Sequence, residues 1–513
     1  MTAESADDRP GPPLLGVFGL LLGIFLSALD GQIIGTALPT VVGDLGGLEH
    51  LAWVVTAYLL TSAAATPIWG RLGDLYGRKG AYQWAVTVFL LGSVLSGLSQ
   101  DMGELIAFRA LQGVGAGGLM VGALSVIGVL VPASARGRVQ SVVGVLMPIA
   151  FVGGPLLGGF ITDRLSWRWA FYVNLPVGLF ALFAVGVGVR LEKAARARAP
   201  FDWAGVVLLT TGILGLTLVS SWGGTEYPWT SPLILGTALV AVLALAGFVR
   251  AELRAPGPLI PPALFRNRNF TVAQVLGFLT GAVMMALVGY LPQYFQLVQG
   301  ASPTTGGLLL LPLMLGMIGS QLVTARLMGR PGGERRYPLL GGALALVGAA
   351  LLLLLDTDTP APAASALTAV AGIGIGLVLQ STILTSVGAV PREDMGAAMG
   401  VVTLLRSIGS SLGMAALGAV YAARTAASLE SRLGPGEGAG LAGGGRLSPA
   451  ALTGLPSAVR DAVGTAVTGG LHGTVAGGVA LAALATAVAC LARPSRAPEP
   501  QEAAAPEPAA AAN

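Results

Sequence analysis

Apolar positions in this chain come in long runs, not in the three-and-four stripe of a soluble amphipathic helix or the alternation of a half-buried strand. The run that opens at Leu14 reaches Leu38 with a single charge, Asp30, inside it. A helix that crosses about 30 Å of hydrocarbon needs about 20 mostly apolar residues. Runs of that kind lie near residues 14–38, 51–70, 80–100, 104–130, 138–161 and 169–189, then 202–222 and 232–250. Six more follow near 270–293, 304–325, 337–355, 363–389, 397–421 and 470–492. The pattern predicts an all-α integral membrane protein with fourteen transmembrane helices.

The polar positions between the runs test that count. Cytoplasmic loops carry an excess of Lys and Arg. With the N-terminus inside, 21 of the 29 basic residues fall on the cytoplasmic side and 6 outside, while Arg109 and Arg406 lie within helices. A miscounted helix would swap the side of every later loop, so the asymmetry supports a multi-pass protein of the bacterial inner membrane with both termini cytoplasmic. Residues 1–13 are then a cytoplasmic N-terminus, and Asp7 and Asp8 make it unlike the basic start of a cleaved signal. Residues 422–469, rich in Gly and Ala, read as a long external loop with room for an amphipathic helix within 448–469. Residues 493–513 read as a disordered cytoplasmic tail of Pro, Ala and Glu.

Composition changes the picture only by exclusion. The chain is 54% hydrophobic and 11% charged, with a mean hydropathy of +0.76, whereas a soluble domain carries about 25% charged residues. Such a surface needs lipid as part of its solvent. The lone Cys490 excludes an intramolecular disulfide and a multi-cysteine metal site. His50 and His472 fall near the outer surface and Cys490 near the inner one, so no nucleophile–base set or metal cluster forms. There is no glycine–lysine phosphate loop to use ATP. The chain is therefore not read as an enzyme, and no metal, cofactor or nucleic acid is expected. Its expected partners are the bilayer, protons and a small-molecule substrate, and it is expected to be a monomer.

Four strings carry the candidate chemistry. The loop after the second run reads Gly70-Arg71-Leu72-Gly73-Asp74-Leu75-Tyr76-Gly77-Arg78-Lys79-Gly80. Glycines there allow a sharp turn and close helix approach, and Asp74 can accept from N–H groups at a helix N-terminus. The fourth run contains Phe108-Arg109-Ala110-Leu111-Gln112-Gly113. An arginine inside a bilayer is costly and faces a partner or a wet cavity. The candidate partner is Asp30, the only acid well inside any run, at a similar depth on an antiparallel helix. Burial disfavours the charged form of a carboxylate and a nearby arginine favours it, so moving the arginine would load and unload a proton. The fifth run carries Gly153-Gly154-Pro155-Leu156-Leu157-Gly158-Gly159, where proline kinks the helix and glycines permit tight packing. Arg71-Leu72 with Gly77 recurs as Arg326-Leu327 with Gly332, and Val131-Pro132 with Gly137 recurs as Val390-Pro391 with Gly396, a faint internal repeat of the kind transporters use.

These strings resemble the signatures of the major facilitator superfamily. The resemblance implies a conformational latch, stabilising the outward-facing state, at Gly70, Asp74, Gly77 and Arg78. It implies proton transfer involving Arg109. The Gly154, Pro155, Gly158 and Gly159 string is similar to a motif of the superfamily's antiporters that its symporters largely lack, although Ala150 stands where the family usually has glycine. In the repeat copy Gly329 replaces Asp74, which implies a weaker latch there. Ser166-Trp167-Arg168-Trp169 through Gly178, Phe201-Asp202-Trp203-Ala204-Gly205 and Arg406-Ser407-Ile408-Gly409-Ser410-Ser411-Leu412-Gly413 resemble the fourteen-helix drug:proton antiporters of the EmrB/QacA type. That branch implies a first six-helix half over 14–190, two inserted helices over 202–250 and a second six-helix half over 270–492.

The resemblance therefore implies a proton-coupled exporter of drugs or other amphiphilic molecules, working by alternating access. A dedicated exporter of one self-made antibiotic would look the same. A proton-coupled importer is the rival, against which Gly154-Pro155 argues. Some exporters of dications in this branch carry a second acid in the tenth helix. The stretch from Thr304 to Ala325 has none, which favours monocationic, neutral or zwitterionic substrates. Candidate cavity residues are Gln32, Tyr290, Gln293, Phe295, Gln296, Gln380 and Arg406.

Overall fold

The computed structural model describes the chain apart from residues 1–13, 46–50, 132–138, 192–201, 224–226, 302, 329–331, 392–393, 444–455 and 494–513, and positions 140, 141, 144, 145, 147, 148, 151, 152, 155, 156 and 163. Among the described residues the regular structure is helical, apart from one isolated bridge between Gly223 and Tyr227. Twelve helices are each long and apolar enough to cross a membrane. They include α1 (Leu14–Leu45), α3 (Arg78–Leu98), α4 (Met102–Leu130) and α6 (Trp169–Gly188). α7 (Trp203–Trp222) and α8 (Pro232–Glu252) follow. The rest are α9 (Arg268–Leu297), α10 (Thr305–Leu327), α11 (Gly333–Leu354), α12 (Ala361–Gly388), α13 (Met395–Gly443) and α14 (Ser457–Ala489). α2 (Leu51–Tyr76) and α5 (139–164, helical at every position described) complete the set.

One packing plan appears twice. α1 packs on α6, α2 and α3 on α4, and α3 on α6; likewise α9 packs on α14, α10 and α11 on α12, and α11 on α14. The turn between α2 and α3 and that between α10 and α11 both need a left-handed residue, supplied by Gly77 (φ +105°) and Gly332 (φ +77°). A side chain at either would be strained, which is why the repeat keeps glycine there. α7 and α8 pack on each other, and α7 also lies against α2 and α13.

Polar side chains close the helix ends. Asp202 accepts from the Gly205 N–H at the start of α7 (2.8 Å). Lys79 donates to the carbonyls of Gly186 and Val189 at the end of α6 (2.8 and 2.9 Å), and Arg168 donates to those of Gly97 and Ser99 at the end of α3 (3.0 and 2.6 Å). Each satisfies carbonyls that a helix C-terminus leaves open and sets a cation at the negative end of its dipole. The Arg168 guanidinium also lies over the Trp167 ring, whose N–H donates to Asp44 (2.8 Å), so the Ser166-Trp167-Arg168 string is a clasp between α1, α3 and α6.

The described residues of the external loop expected over 422–469 are nearly all helical. α13 runs on without a break to Gly434, whose φ of +85° interrupts it, and α14 already begins at Ser457. Alanine-rich sequence has high helix propensity, and Leu429 on one extension shares a buried cluster with Val463, Ala466 and Val467 on the other. Reading glycine and alanine as loop missed that pairing.

Candidate functional site

Asp30 of α1 and Arg109 of α4 meet. Arg109 Nη1 donates to Asp30 Oδ2 at 2.7 Å, and the two side chains are 1% and 0% exposed. The other oxygen, Asp30 Oδ1, accepts from Gln112 Nε2 (2.9 Å) and Asn174 Nδ2 (2.7 Å). Arg109 also donates to Gln112 Oε1 (2.8 Å) and to the Val54 carbonyl (3.4 Å), and its guanidinium lies 4.1 Å from the centre of the Tyr58 ring. Ser93 accepts from Gln112 and Asn174 and donates to the Phe171 carbonyl (2.9 Å). A buried charge persists only when paired and hydrogen-bonded, and here α1, α3, α4 and α6 all contribute to one carboxylate. Gln112, Asn174 and Ser93 were not singled out from sequence. Gln112 carried a signal, since a residue three after Arg109 shares its helix face.

The latch residues lie at the end of the bundle that bears the arginine-rich loops. Arg78 binds Asp74 through Nε (3.1 Å) and Nη2 (2.9 Å). The same carboxylate reaches the other half: Asp74 accepts from the backbone N–H of Gly396 (3.2 Å) and Ala397 (2.8 Å) in the first turn of α13. An acid placed there caps orphan N–H groups and meets the positive end of the dipole. Gly70 makes the approach possible, since a Cβ there would lie 2.5 Å from the Gly396 carbonyl oxygen. Gly77 supplies the turn already described. Around this contact Pro67 abuts Gly400, and Ala64 joins Ala398, Val401, Leu404 and Phe248 in one apolar cluster. The receiving residues Gly396 and Ala397 were not foreseen as Asp74's partners, because backbone N–H groups have no sequence signature.

In α5, Gly154 packs against the Gln32 side chain of α1, and the carbonyls of Gly158 and Gly159 accept from the Thr162 hydroxyl (2.8 and 3.0 Å). Pro155 lies outside the described residues. The expected cavity residues separate. Phe295 is a correction: it is fully buried in the apolar core with Leu291 and Tyr294, so it packs the second half and lines no opening. Tyr290 stacks on Tyr421 (4.8 Å between centroids, 28° apart) and donates to the Met414 carbonyl. Gln296 packs over Gly306, and Gln293 and Gln32 are half-buried. Gln380 is fully buried, and neither its Oε1 nor its Nε2 has a partner among the described residues. Arg406 is half-buried and makes no hydrogen bond or ion pair with a described residue. No group of three or more metal-binding side chains occurs among the described residues.

Comparison with known proteins agrees with this geometry. The family model described as Major Facilitator Superfamily matches residues 20–414. The chain is 37% identical over 432 residues to the multidrug transporter protein MdtP of Bacillus subtilis, covering 84% of this chain and 79% of that protein. It is 37% identical to an uncharacterized MFS-type transporter of Mycobacterium tuberculosis, of whose greater length it spans 61%. The crystal structure of the human organic anion transporter MFSD10 superposes with a TM-score of 0.60 over 94% of this chain and all of that one, at 16% identity, a likeness of fold alone. Paired repeats of membrane helices, the Asp74 contact with α13 and a family match over most of the chain lead to one conclusion: this chain is a multi-pass membrane transporter, not an enzyme, and it belongs to the major facilitator superfamily.

Proposed function

We propose that the protein is a proton-coupled antiporter of the fourteen-helix EmrB/QacA-type branch, exporting drugs or other amphiphilic small molecules from the cytoplasm. The observation that carries this reading is the buried Asp30–Arg109 pair with its further donors Gln112 and Asn174. A carboxylate held by one arginine and two amides is a switch with two settings. Arg109 and a proton compete for the same carboxylate: when helix motion draws the guanidinium away, Asp30 takes a proton from the outer side, and return of Arg109 displaces that proton inward.

The Asp74 contact with α13 supplies the alternation. It ties the halves together at the arginine-rich end, which we take as the cytoplasmic side, so the closed seam described above corresponds to an outward-facing form. Breaking it opens the inner side to load substrate. Export is supported by the Gly154 packing between α5 and α1 and by the multidrug transporter among the relatives. No bound cofactor is needed: one charge crossing 100 mV is worth about 2.3 kcal/mol, and one pH unit adds about 1.36 kcal/mol per proton.

Everted membrane vesicles test the reading. A panel of amphiphiles of either charge is added to energised vesicles, and substrate-evoked proton release is followed with a pH-sensitive dye. Wild type should release protons with some compounds. Asp30→Asn at equal expression, or a protonophore, should reduce the response at least tenfold. Undiminished proton-coupled transport by Asp30→Asn would sink the assignment of the proton site.

A further inference from the structure

Arg406 is the membrane-embedded charge that the proposed mechanism leaves idle. It lies eleven residues along α13 from Met395, about 16 Å at 1.5 Å per residue, close to the middle of a hydrocarbon core of about 30 Å. That is too deep for the side chain to reach the interface by snorkelling. Every acid in the sequence other than Asp30 lies in a loop or near a helix end, and Asp30 is already bound by Arg109, Gln112 and Asn174. The charges held within the membrane core are therefore one negative and two positive.

The helix face that carries Arg406 is turned to the centre of the bundle. Met395, Met399, Val402 and Arg406 recur at spacings of four, three and four, one stripe on an α-helix. The Met395 sulfur abuts Gly128 of α4, and Met399 and Val402 are buried in a cluster with Leu124 and Ile127 of α4 and Ile383 of α12. These side chains plug the seam between the halves at the arginine-rich end. Arg406 comes next, one turn past Val402, with the stem of its side chain beside Gly281 of α9. Gln380 stands one turn past Ile383 on α12, fully buried, with its amide donor and acceptor both unmet among the described residues. Unsatisfied polar groups of this kind cost stability unless a ligand meets them.

We propose that Arg406 is the anion-recognising residue of the substrate site, and that the exported compounds are amphiphilic anions, an apolar body bearing a carboxylate, sulfonate or phenolate. This rests on the transporter reading above and narrows its substrate class, replacing the sequence expectation of monocations, neutral compounds and zwitterions. A cation entering this site meets an uncompensated guanidinium in low dielectric. An anion gives Arg406 the partner that no described residue supplies, through a fork suited to planar oxyanions. Proton entry and anion exit are also both favoured by a membrane potential negative inside.

The test compares fluorescein and rhodamine 123, xanthene dyes of opposite charge, binding to the purified full chain in nanodiscs by fluorescence anisotropy, a readout independent of proton coupling. Wild type should bind fluorescein at least tenfold more tightly than rhodamine 123. Arg406→Gln should weaken fluorescein roughly tenfold, the worth of one charge-assisted hydrogen bond, and tighten rhodamine 123 by removing the like charge; Arg406→Lys should keep the preference for the anion. Equal or tighter binding of rhodamine 123 by wild type, no binding of fluorescein, or equal weakening of both dyes by Arg406→Gln each overturns the proposal. Should Arg406→Gln not fold, the wild-type preference and Arg406→Lys decide alone. Fluorescein binding without dye-evoked proton release in vesicles would break the antiport reading and leave the anion site standing.

Discussion

In the first half of the bundle Asp30, Arg109, Gln112, Asn174 and Ser93 answer one another's hydrogen bonds, while in the second half Arg406 and Gln380 have no partner among the described residues. The helices around both centres follow the same packing plan, so the contrast lies in side chains and not in architecture. A proton needs no cavity. It needs a carboxylate whose companions can move by a fraction of a helix turn, and a closed network provides that. A small molecule needs polar groups left open, because bonds already made within the protein must be broken before it can bind. We therefore assign the coupling ion to the closed centre and the substrate to the open one.

The sharpest way to break this comparison is to make the first centre resemble the second. Arg109→Gln removes the only cation beside Asp30 among the described residues and leaves a carboxylate buried at 0% exposure. Removing one partner of a buried pair costs about 3–5 kcal/mol, the largest effect foreseen in this molecule. Thermal unfolding in detergent should show a large drop for Arg109→Gln and a clear recovery in the double variant with Asp30→Asn, which no longer buries a charge. A double variant as unstable as Arg109→Gln alone would mean that the pair is not what holds α1 to α4. The same cycle read by transport should show no recovery, since the proton carrier is gone.

The next effect lies at the seam between the halves. Asp74 accepts from Arg78, Gly396 and Ala397, and asparagine keeps one of its two acceptor oxygens. Hydrogen bonds to a charged group are worth about 1.5–3 kcal/mol, so Asp74→Asn should open the seam at least about tenfold more often. Cys490 is the only native cysteine, so a Cys490→Ser background carrying Val401→Cys reports directly. Val401 is 1% exposed within the seam cluster. Alkylation of that cysteine should quicken about tenfold with Asp74→Asn, and an unchanged rate would show that the apolar cluster alone keeps the seam shut.

Much of this was legible because charge is conspicuous in hydrocarbon. Asp30 and Arg109 stood out as lone charges in apolar runs, and antiparallel helices at matching depth made a pair natural. The glycines at 70 and 77 were legible as a turn and a close approach. Gln112, Asn174 and Ser93 were not, because uncharged polar residues are common in membrane helices and only their convergence on Asp30 distinguishes them. Phe295 was misplaced for the opposite reason: an aromatic side chain fits a core as well as a cavity, and here it sits buried in an apolar cluster with Leu291 and Tyr294. The extensions of α13 and α14 beyond the membrane were hidden by glycine and alanine, whose helical state depends on a partner far along the chain. The idle state of Arg406 was also beyond the sequence, which locates a charge but does not count its bonds.

The smallest expected effect tests how far the closed centre depends on completeness. Asn174 Nδ2 serves both Asp30 Oδ1 and Ser93 Oγ, while its own Oδ1 has no partner among the described residues. Asn174→Ala removes two hydrogen bonds, yet Gln112 still holds Asp30 Oδ1 and Arg109 still holds Oδ2. The two lost bonds, offset by removal of the unmet Asn174 Oδ1, should leave a net loss of about 1–2 kcal/mol, visible as a modest fall in the unfolding temperature with coupled transport slowed a few-fold and not abolished. Loss of coupling as complete as with Asp30→Asn would mean that Asn174 carries the proton path between α6 and α1, and that the network acts as a relay through which protons pass. Transport unchanged beside a lower unfolding temperature would make Asn174 a brace for the carboxylate and confine the switch to Asp30 and Arg109.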